Sequence, residues 1–177
     1  MPYEPREDSF LLRKYVQKYS KGKVLDMGTG SGIQAQEAAE KADFVLAVDI
    51  DEKAVDYCEK NIKNEKINFI VSDLFEKVRG KFDLIVFNPP YLPEDEFYDE
   101  TDKALTGGVN GWELLERFLK KAKNYLNKNG NILIIFSSLT NLKKAKEIMK
   151  DYNYKKLEES KLPFEKLYVY LLKITGK

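Results

Sequence analysis

Apolar residues along this chain follow two alternating rhythms. Lys23-Val24-Leu25-Asp26-Met27, Phe44 to Asp49, Ile67 to Val71 and Phe82 to Phe87 are short apolar runs that read as strands. Between them the apolar positions recur at helical spacing. After an Asp8-Ser9 start signal, Phe10, Leu11, Leu12, Tyr15, Val16 and Tyr19 mark a helix from Asp8 to Tyr19. A stretch rich in Ala, Gln and Glu follows the first strand, and Asp51 caps a helix with Ala54, Val55, Cys58 and Ile62 on one face. Trp112 to Leu126 reads as a helix with Leu114, Leu115, Phe118, Leu119, Ala122 and Leu126 inward. A Lys128-Asn129-Gly130 turn leads to a fifth strand, Asn131 to Phe136, and then a helix from about Leu142 to Lys150. Tyr154 to Leu157 and Glu165 to Ile174 read as a closing antiparallel pair. Strands alternating with helices predict an α/β fold, a mostly parallel doubly wound sheet. One long loop, about Leu92 to Gly111, has an acidic start at Glu94-Asp95-Glu96 and glycines at Gly107, Gly108 and Gly111, which suits a mobile lid.

Composition narrows the chemistry. The 177 residues fit one domain, with a short helical lead over about 1–20, and 43% hydrophobic content suffices for a core. Thirty basic against twenty-nine acidic residues give a formal charge of +1, too little for general attraction to nucleic acid or anionic membrane. The lone Cys58 excludes an internal disulfide or a Cys-rich zinc site, and the absence of histidine excludes His-based catalysis and His-ligated metal. The start of the chain is no signal peptide and no run is long enough to span a bilayer, so a cytoplasmic protein is expected.

Asp26-Met27-Gly28-Thr29-Gly30-Ser31-Gly32 joins the first strand to the next helix. Glycines there admit close approach of a ligand, and the helix start favours an anionic group such as a pyrophosphate or an amino-acid carboxylate. The dinucleotide fingerprint wants glycine where Ile33 stands, and Asp26 repels phosphate but suits an ammonium. A ligand with both ammonium and carboxylate, such as S-adenosylmethionine, fits better than NAD. Asp49 ends the second strand, roughly 20 residues beyond the first glycine, where an acid holds ribose hydroxyls. Ser72-Asp73-Leu74 ends the third strand, where Asp73 could accept from an adenine amine. Each acid also has a plainer reading: Asp26 and Asp73 as caps, Asp49 as a surface acid.

The sharpest signal is Asn88-Pro89-Pro90-Tyr91, directly after the Phe82–Phe87 strand. Open α/β sheets bind ligands at the carboxyl ends of their strands. Two prolines fix φ, remove two N–H donors and stiffen the turn. Asn88 Oδ1 and the Pro89 carbonyl could accept the two N–H bonds of a planar NH2 group while Tyr91 covers its face. An amide nitrogen needs this help, since its lone pair is delocalised, and orientation alone can supply several kcal/mol, up to roughly 7–11. No general base is required, because the proton can leave after the methyl arrives. A strand end that merely starts a loop would be the plain alternative.

These residues resemble the HemK/PrmC protein-glutamine N5-methyltransferases over nearly the whole chain. The glycine loop, Asp49, Asp73 and the Asn-Pro-Pro-Tyr quartet match that family's pattern. Tyr3-Glu4-Pro5-Arg6-Glu7-Asp8-Ser9-Phe10 is similar to the amino-terminal motif of its short archaeal and eukaryotic branch, in which the residue corresponding to Ser9 borders the cofactor. Ala104 to Gly111 resembles its glycine stretch after the catalytic loop. The resemblance implies a class I S-adenosylmethionine-dependent methyltransferase with a seven-stranded sheet. The cofactor would be held by Ser9, Asp26, Gly28, Gly30, Asp49, Asp73, Leu74 and Asn88. Asn88, Pro89 and Tyr91 would be catalytic, and Asn88 to Tyr91, Pro90 included, would hold the substrate. That substrate would be the Gly-Gly-Gln glutamine of a class I translation release factor. A small zinc-ribbon activator subunit is implied as partner, and the third strand, Ile67 to Val71, placed at a sheet edge and lacking charge or proline, could pair with it.

The same quartet serves adenine-N6 methyltransferases, since an exocyclic amine has similar geometry. Near-zero net charge and an acidic loop beside the site weigh against nucleic acid. Lysine methylation is another alternative, but a lysine must be deprotonated and the quartet offers no base. A non-catalytic binding subunit of the same fold is disfavoured by the intact Asn88 quartet.

Overall fold

A computed structural model of the chain describes residues 4–90 and 108–175. In chain order the elements are α1 (Glu7–Tyr19), β1 (Lys23–Met27), α2 (Ile33–Ala39), β2 (Phe44–Asp49), α3 (Glu52–Asn61), β3 (Ile67–Val71) and β4 (Phe82–Phe87). Then come α4 (Glu113–Ala122), a 3-10 turn (Lys123–Tyr125), β5 (Leu126–Ser137), α5 (Leu142–Met149), β6 (Tyr152–Lys161) and β7 (Lys166–Ile174). The seven strands form one sheet in the order β3-β2-β1-β4-β5-β7-β6. β1 to β5 pair in parallel, and β7 runs antiparallel to both β5 and β6.

The apolar runs of β1, β2 and β4 became strands because both of their faces are covered. Odd and even positions feed two separate cores. Leu25, Met27, Ile85, Phe87, Ile132 and Ile134 pack under α4 and α5 with Phe118 and Met149. Val24, Val45, Ala47, Leu84 and Val86 pack on the other face against Leu12 and Val16 of α1 and Ala35 and Ala38 of α2. Parallel sheets need this double cover, since crossover helices lie on their faces. Asp51 caps α3 as its sequence position predicts, accepting from Lys53 N–H.

Three elements depart from the expected bounds. The helix expected from Trp112 to Leu126 stops at Ala122, tightens into the 3-10 turn and passes into β5 at Leu126. β5 therefore starts before Asn131, and the Lys128-Asn129-Gly130 turn lies inside an irregularity of its pairing: Phe82 pairs with Leu126, but Leu84 with Asn131. β6 runs from Tyr152 to Lys161, well beyond Tyr154–Leu157, because one exposed edge accepts charged residues that interrupt the apolar pattern. The two sheet edges differ. β6 carries Lys155, Lys156, Glu158, Glu159 and Lys161, whereas β3 presents Asn68, Phe69 and Ile70 with no charge.

Candidate active site

The carboxyl ends of β1, β2 and β4 lie side by side in the sheet, and the first turn of α1 reaches Asn88 just beyond β4. At the end of β1, Gly28, Gly30 and Gly32 have φ of 67°, 52° and 80°. That left-handed region is what the glycine-rich sequence supplies. Thr29 N–H donates to the Val48 carbonyl at 2.9 Å and Gly30 N–H to Asp49 Oδ2 at 2.8 Å, stitching the loop to the end of β2. Asp49 Oδ1 accepts from Asp51 N–H at 3.0 Å. An ionised carboxylate has about four acceptor directions, so Asp49 keeps capacity for ribose hydroxyls.

Asp26 is buried, and the Thr29 hydroxyl donates to its Oδ2 at 2.7 Å. Burial pushes its carboxyl up to about 7; the Thr29 hydroxyl opposes the rise, the nearby Asp49 charge adds to it and the Ala35 backbone lowers it. A buried acid with a raised pKa fits a cationic guest, whose charge would restore the carboxylate. Cys58 donates to the Gly30 carbonyl at 3.3 Å, and burial together with the charges of Asp26 and Asp49 pushes its thiol up to about 12. It is an inert packing group beneath the loop.

Asp73 is not held open toward a ligand in this structure. Arg117 of α4 donates to its Oδ2 at 2.7 Å. The next residue, Leu74, has φ of 47°, a strained conformation for a branched side chain, while its side chain is buried in the core. Ser72 Oγ holds the turn by donating to the Leu74 carbonyl and accepting from Lys77 N–H.

Asn88 Nδ2 donates to Asp8 Oδ2 at 3.0 Å and lies 3.5 Å from Ser9 Oγ. Its Oδ1 is buried and meets no donor among the described residues. Leaving such an acceptor unmade costs about 1–3 kcal/mol, so an incoming N–H has a ready partner there. Pro89 is buried and Pro90 half-buried, both after trans peptide bonds. Tyr91 and the expected lid lie outside the described residues up to 107. Ser9 is buried, and its carbonyl accepts from Gln34 Nε2 at 2.9 Å, tying α1 to α2.

Asp8 corrects a sequence expectation. The sequence predicts a helix start at Asp8; α1 begins one residue earlier, at Glu7, with Arg6 at the cap position and no side-chain cap bond. Asp8 instead turns to Asn88. Sequence reasoning missed Asp8, Thr29 and Arg117, and only the spacing of Thr29 from Asp26 within one tight loop offered a hint. Two hollows elsewhere, one of about 250 Å³ between α4, α5 and β6 and one of about 370 Å³ beside α3 and β3, touch neither the glycine loop nor Asn88.

Residues 7–161 match the model of the methyltransferase small domain. The chain belongs to that methyltransferase family. A Methanocaldococcus jannaschii protein, named as a candidate protein N5-glutamine methyltransferase, is 44% identical over 176 residues, covering 94% of this chain and 89% of its own. A Lactococcus lactis release factor glutamine methyltransferase is 36% identical over 124 residues, 63% of this chain and 46% of the relative. The methyltransferase thus spans about half the length of the bacterial relatives it matches. The structure of the E. cuniculi Mtq2–Trm112 complex, described as methylating the eRF1 termination factor, contains a chain of the same fold. Its TM-score is 0.78 at 22% identity, with 98% of each chain covered.

Proposed function

We infer that this methyltransferase transfers a methyl group from S-adenosylmethionine to the side-chain nitrogen of the Gly-Gly-Gln glutamine in a class I translation release factor. The observation that carries the reading is the buried Oδ1 of Asn88, which meets no donor among the described residues, on a diproline turn and oriented by Asp8. The bound cofactor supplies an electrophilic methyl on sulfur. Gly28 and Gly30 would admit its close approach, Asp26 would hold its ammonium and Asp49 its ribose. Ser9 lies against Asn88 at the rim, and Asp73 and Leu74 would border the adenine, with Arg117 setting the Asp73 carboxylate.

Asn88 Oδ1 and the Pro89 carbonyl each accept one N–H of the substrate amide. That fixes the plane of the NH2 group and draws electron density onto nitrogen. Pro89 and Pro90 keep the turn stiff. The nitrogen sheds its proton to solvent after transfer, so no base is needed. A substrate of the translation machinery implies the cytoplasm, and no described helix is long and apolar enough to cross a membrane. The uncharged β3 edge supports a small activator subunit that adds a strand there, with a zinc ribbon as its expected form.

The test is mass spectrometry of the release-factor peptide after incubation with the enzyme and cofactor. A methyl on the glutamine nitrogen is expected, lost in Asn88→Ala while cofactor binding persists. Label appearing only in DNA or RNA would overturn the reading.

A further inference from the structure

Large apolar side chains left in solvent are not spread evenly over this molecule. Among the described residues, Phe10, Ile50, Val109, Leu139 and Phe164 lie on segments at the carboxyl edge of the parallel strands. Phe10 follows Ser9, Ile50 follows β2, Val109 precedes α4, Leu139 follows β5, and Phe164 sits at the β6–β7 tip. Of the other three exposed large apolar residues described, Tyr154 and Ile174 lie toward the opposite edge and Tyr57 on α3, and none is more than half exposed. Single exposed apolar residues need no explanation, but their gathering around one rim does.

Phe164 is the extreme case, 97% exposed. It is not on a loose loop. Leu162 N–H donates to the Glu165 carbonyl at 2.8 Å, closing the tip, and Pro163 fixes φ just before the ring. The tip is in turn fastened to the end of β5. The Ser137 hydroxyl donates to the Glu165 carboxylate. Ser138 N–H donates to the Lys166 carbonyl at 2.7 Å, and Lys166 N–H donates to Ser138 Oγ at 2.9 Å. Leu139, 47% exposed, is the next residue along that anchoring turn. The fold holds an aromatic ring rigidly in water, which lowers the ordering cost of any contact made there.

The geometry points to the Phe164 tip and Leu139 as the docking contact for the folded body of the protein substrate, beside the loop that carries its glutamine. This rests on the release-factor reading above. The strand order places the β6–β7 tip two to three strands from β4, about 10–15 Å at the usual spacing. An extended peptide covers that gap in about three to four residues. A folded protein whose glutamine reaches Asn88 is therefore close enough to lie over this rim. A second copy of the chain seated there would block the edge that has to receive substrate.

The test compares Phe164→Ser and the Leu139→Ser/Phe164→Ser double variant with wild type, on two substrates. One is the folded release factor; the other is a short peptide of about five residues around its glutamine, too short to reach the tip. For the folded factor, kcat/KM is expected to fall about ten-fold or more, through KM, with its Kd by calorimetry rising to match. Peptide turnover and thermal midpoint should stay at wild-type values. An unchanged Kd for the folded factor overturns the inference, as does an equal loss on both substrates. A wild-type dimer in sedimentation that the variants convert to monomer would also overturn it. If the wild type fails to methylate the folded factor at glutamine, the release-factor reading falls first and this inference with it. If it succeeds and the variants match it, the docking contact alone is wrong.

Discussion

Asp8 Oδ2 accepts a 3.0 Å hydrogen bond from Asn88 Nδ2 across eighty residues of sequence. An amide can turn either its oxygen or its nitrogen toward a substrate, and only the oxygen can accept from another NH2 group. Asp8, buried in the first turn of α1, decides that choice by binding the nitrogen.

Asp8→Asn offers Asn88 an amide in place of a carboxylate and weakens the preference. A hydrogen bond to a charged group contributes about 1.5–3 kcal/mol, so kcat should fall by roughly 10–100-fold. Calorimetry should show cofactor affinity little changed, and Asp8→Glu should restore part of kcat. Loss of affinity equal to the loss of rate would make Asp8 a structural residue of the cofactor loop.

Asp26 makes stability depend on pH. Burial pushes its carboxyl up to about 7 in the folded protein, from an ordinary value of 3.8. The folded state therefore binds the extra proton, and stability is lost as pH rises from about 4 through about 7. The full effect is on the order of 4 kcal/mol. Without cofactor, the thermal midpoint of wild type should drop across that window, and that of Asp26→Asn should be flat. Cofactor should reverse the trend, binding more tightly above pH 7, where its ammonium meets a carboxylate. A flat wild-type profile would show that Asp26 is ionised throughout.

Gly32 has φ of 80°, and a Cβ there would collide with Ile62 Cδ1 and lie 3.1 Å from Cys58 Sγ. Gly32→Ala should cost at least about 1–2 kcal/mol from backbone strain alone. For a chain of this size that lowers the thermal midpoint by several degrees, about 2–4 °C per kcal/mol. Adding Ile62→Ala should relieve none of the backbone term, so the double variant should remain below the Ile62→Ala single variant.

The Arg117–Asp73 pair is a partly exposed ion pair, worth less than about 1 kcal/mol to folding. Its expected importance lies in aiming Asp73. Arg117→Ala should leave the thermal midpoint nearly unchanged and weaken cofactor affinity less than Asp73→Ala does. Equal affinities in all three proteins would remove Asp73 from the cofactor site.

The strands around the site could be read from sequence because burial on both faces leaves unbroken apolar runs. Lys23–Met27, Phe44–Asp49 and Phe82–Phe87 were legible for that reason, and Ile67–Val71, a partly buried edge strand, for its β-branched and aromatic residues. β6 was half legible, since an edge strand facing water loses the signal. The glycine loop and Asn88 stood out because their residue types are unusual at strand ends. Asp8 did not, because an acid in a first helical turn has a local explanation that conceals its partner. The link became visible only when α1 was laid over the end of β4.

The two margins of the sheet have unequal consequences for assembly. β6 turns lysines and glutamates outward, while Asn68, Phe69 and Ile70 leave β3 free to hydrogen-bond a neighbouring backbone. A partner strand added to β3 leaves only the charged β6 margin, where further strand pairing is disfavoured. Such growth ends at a pair instead of running on into fibres.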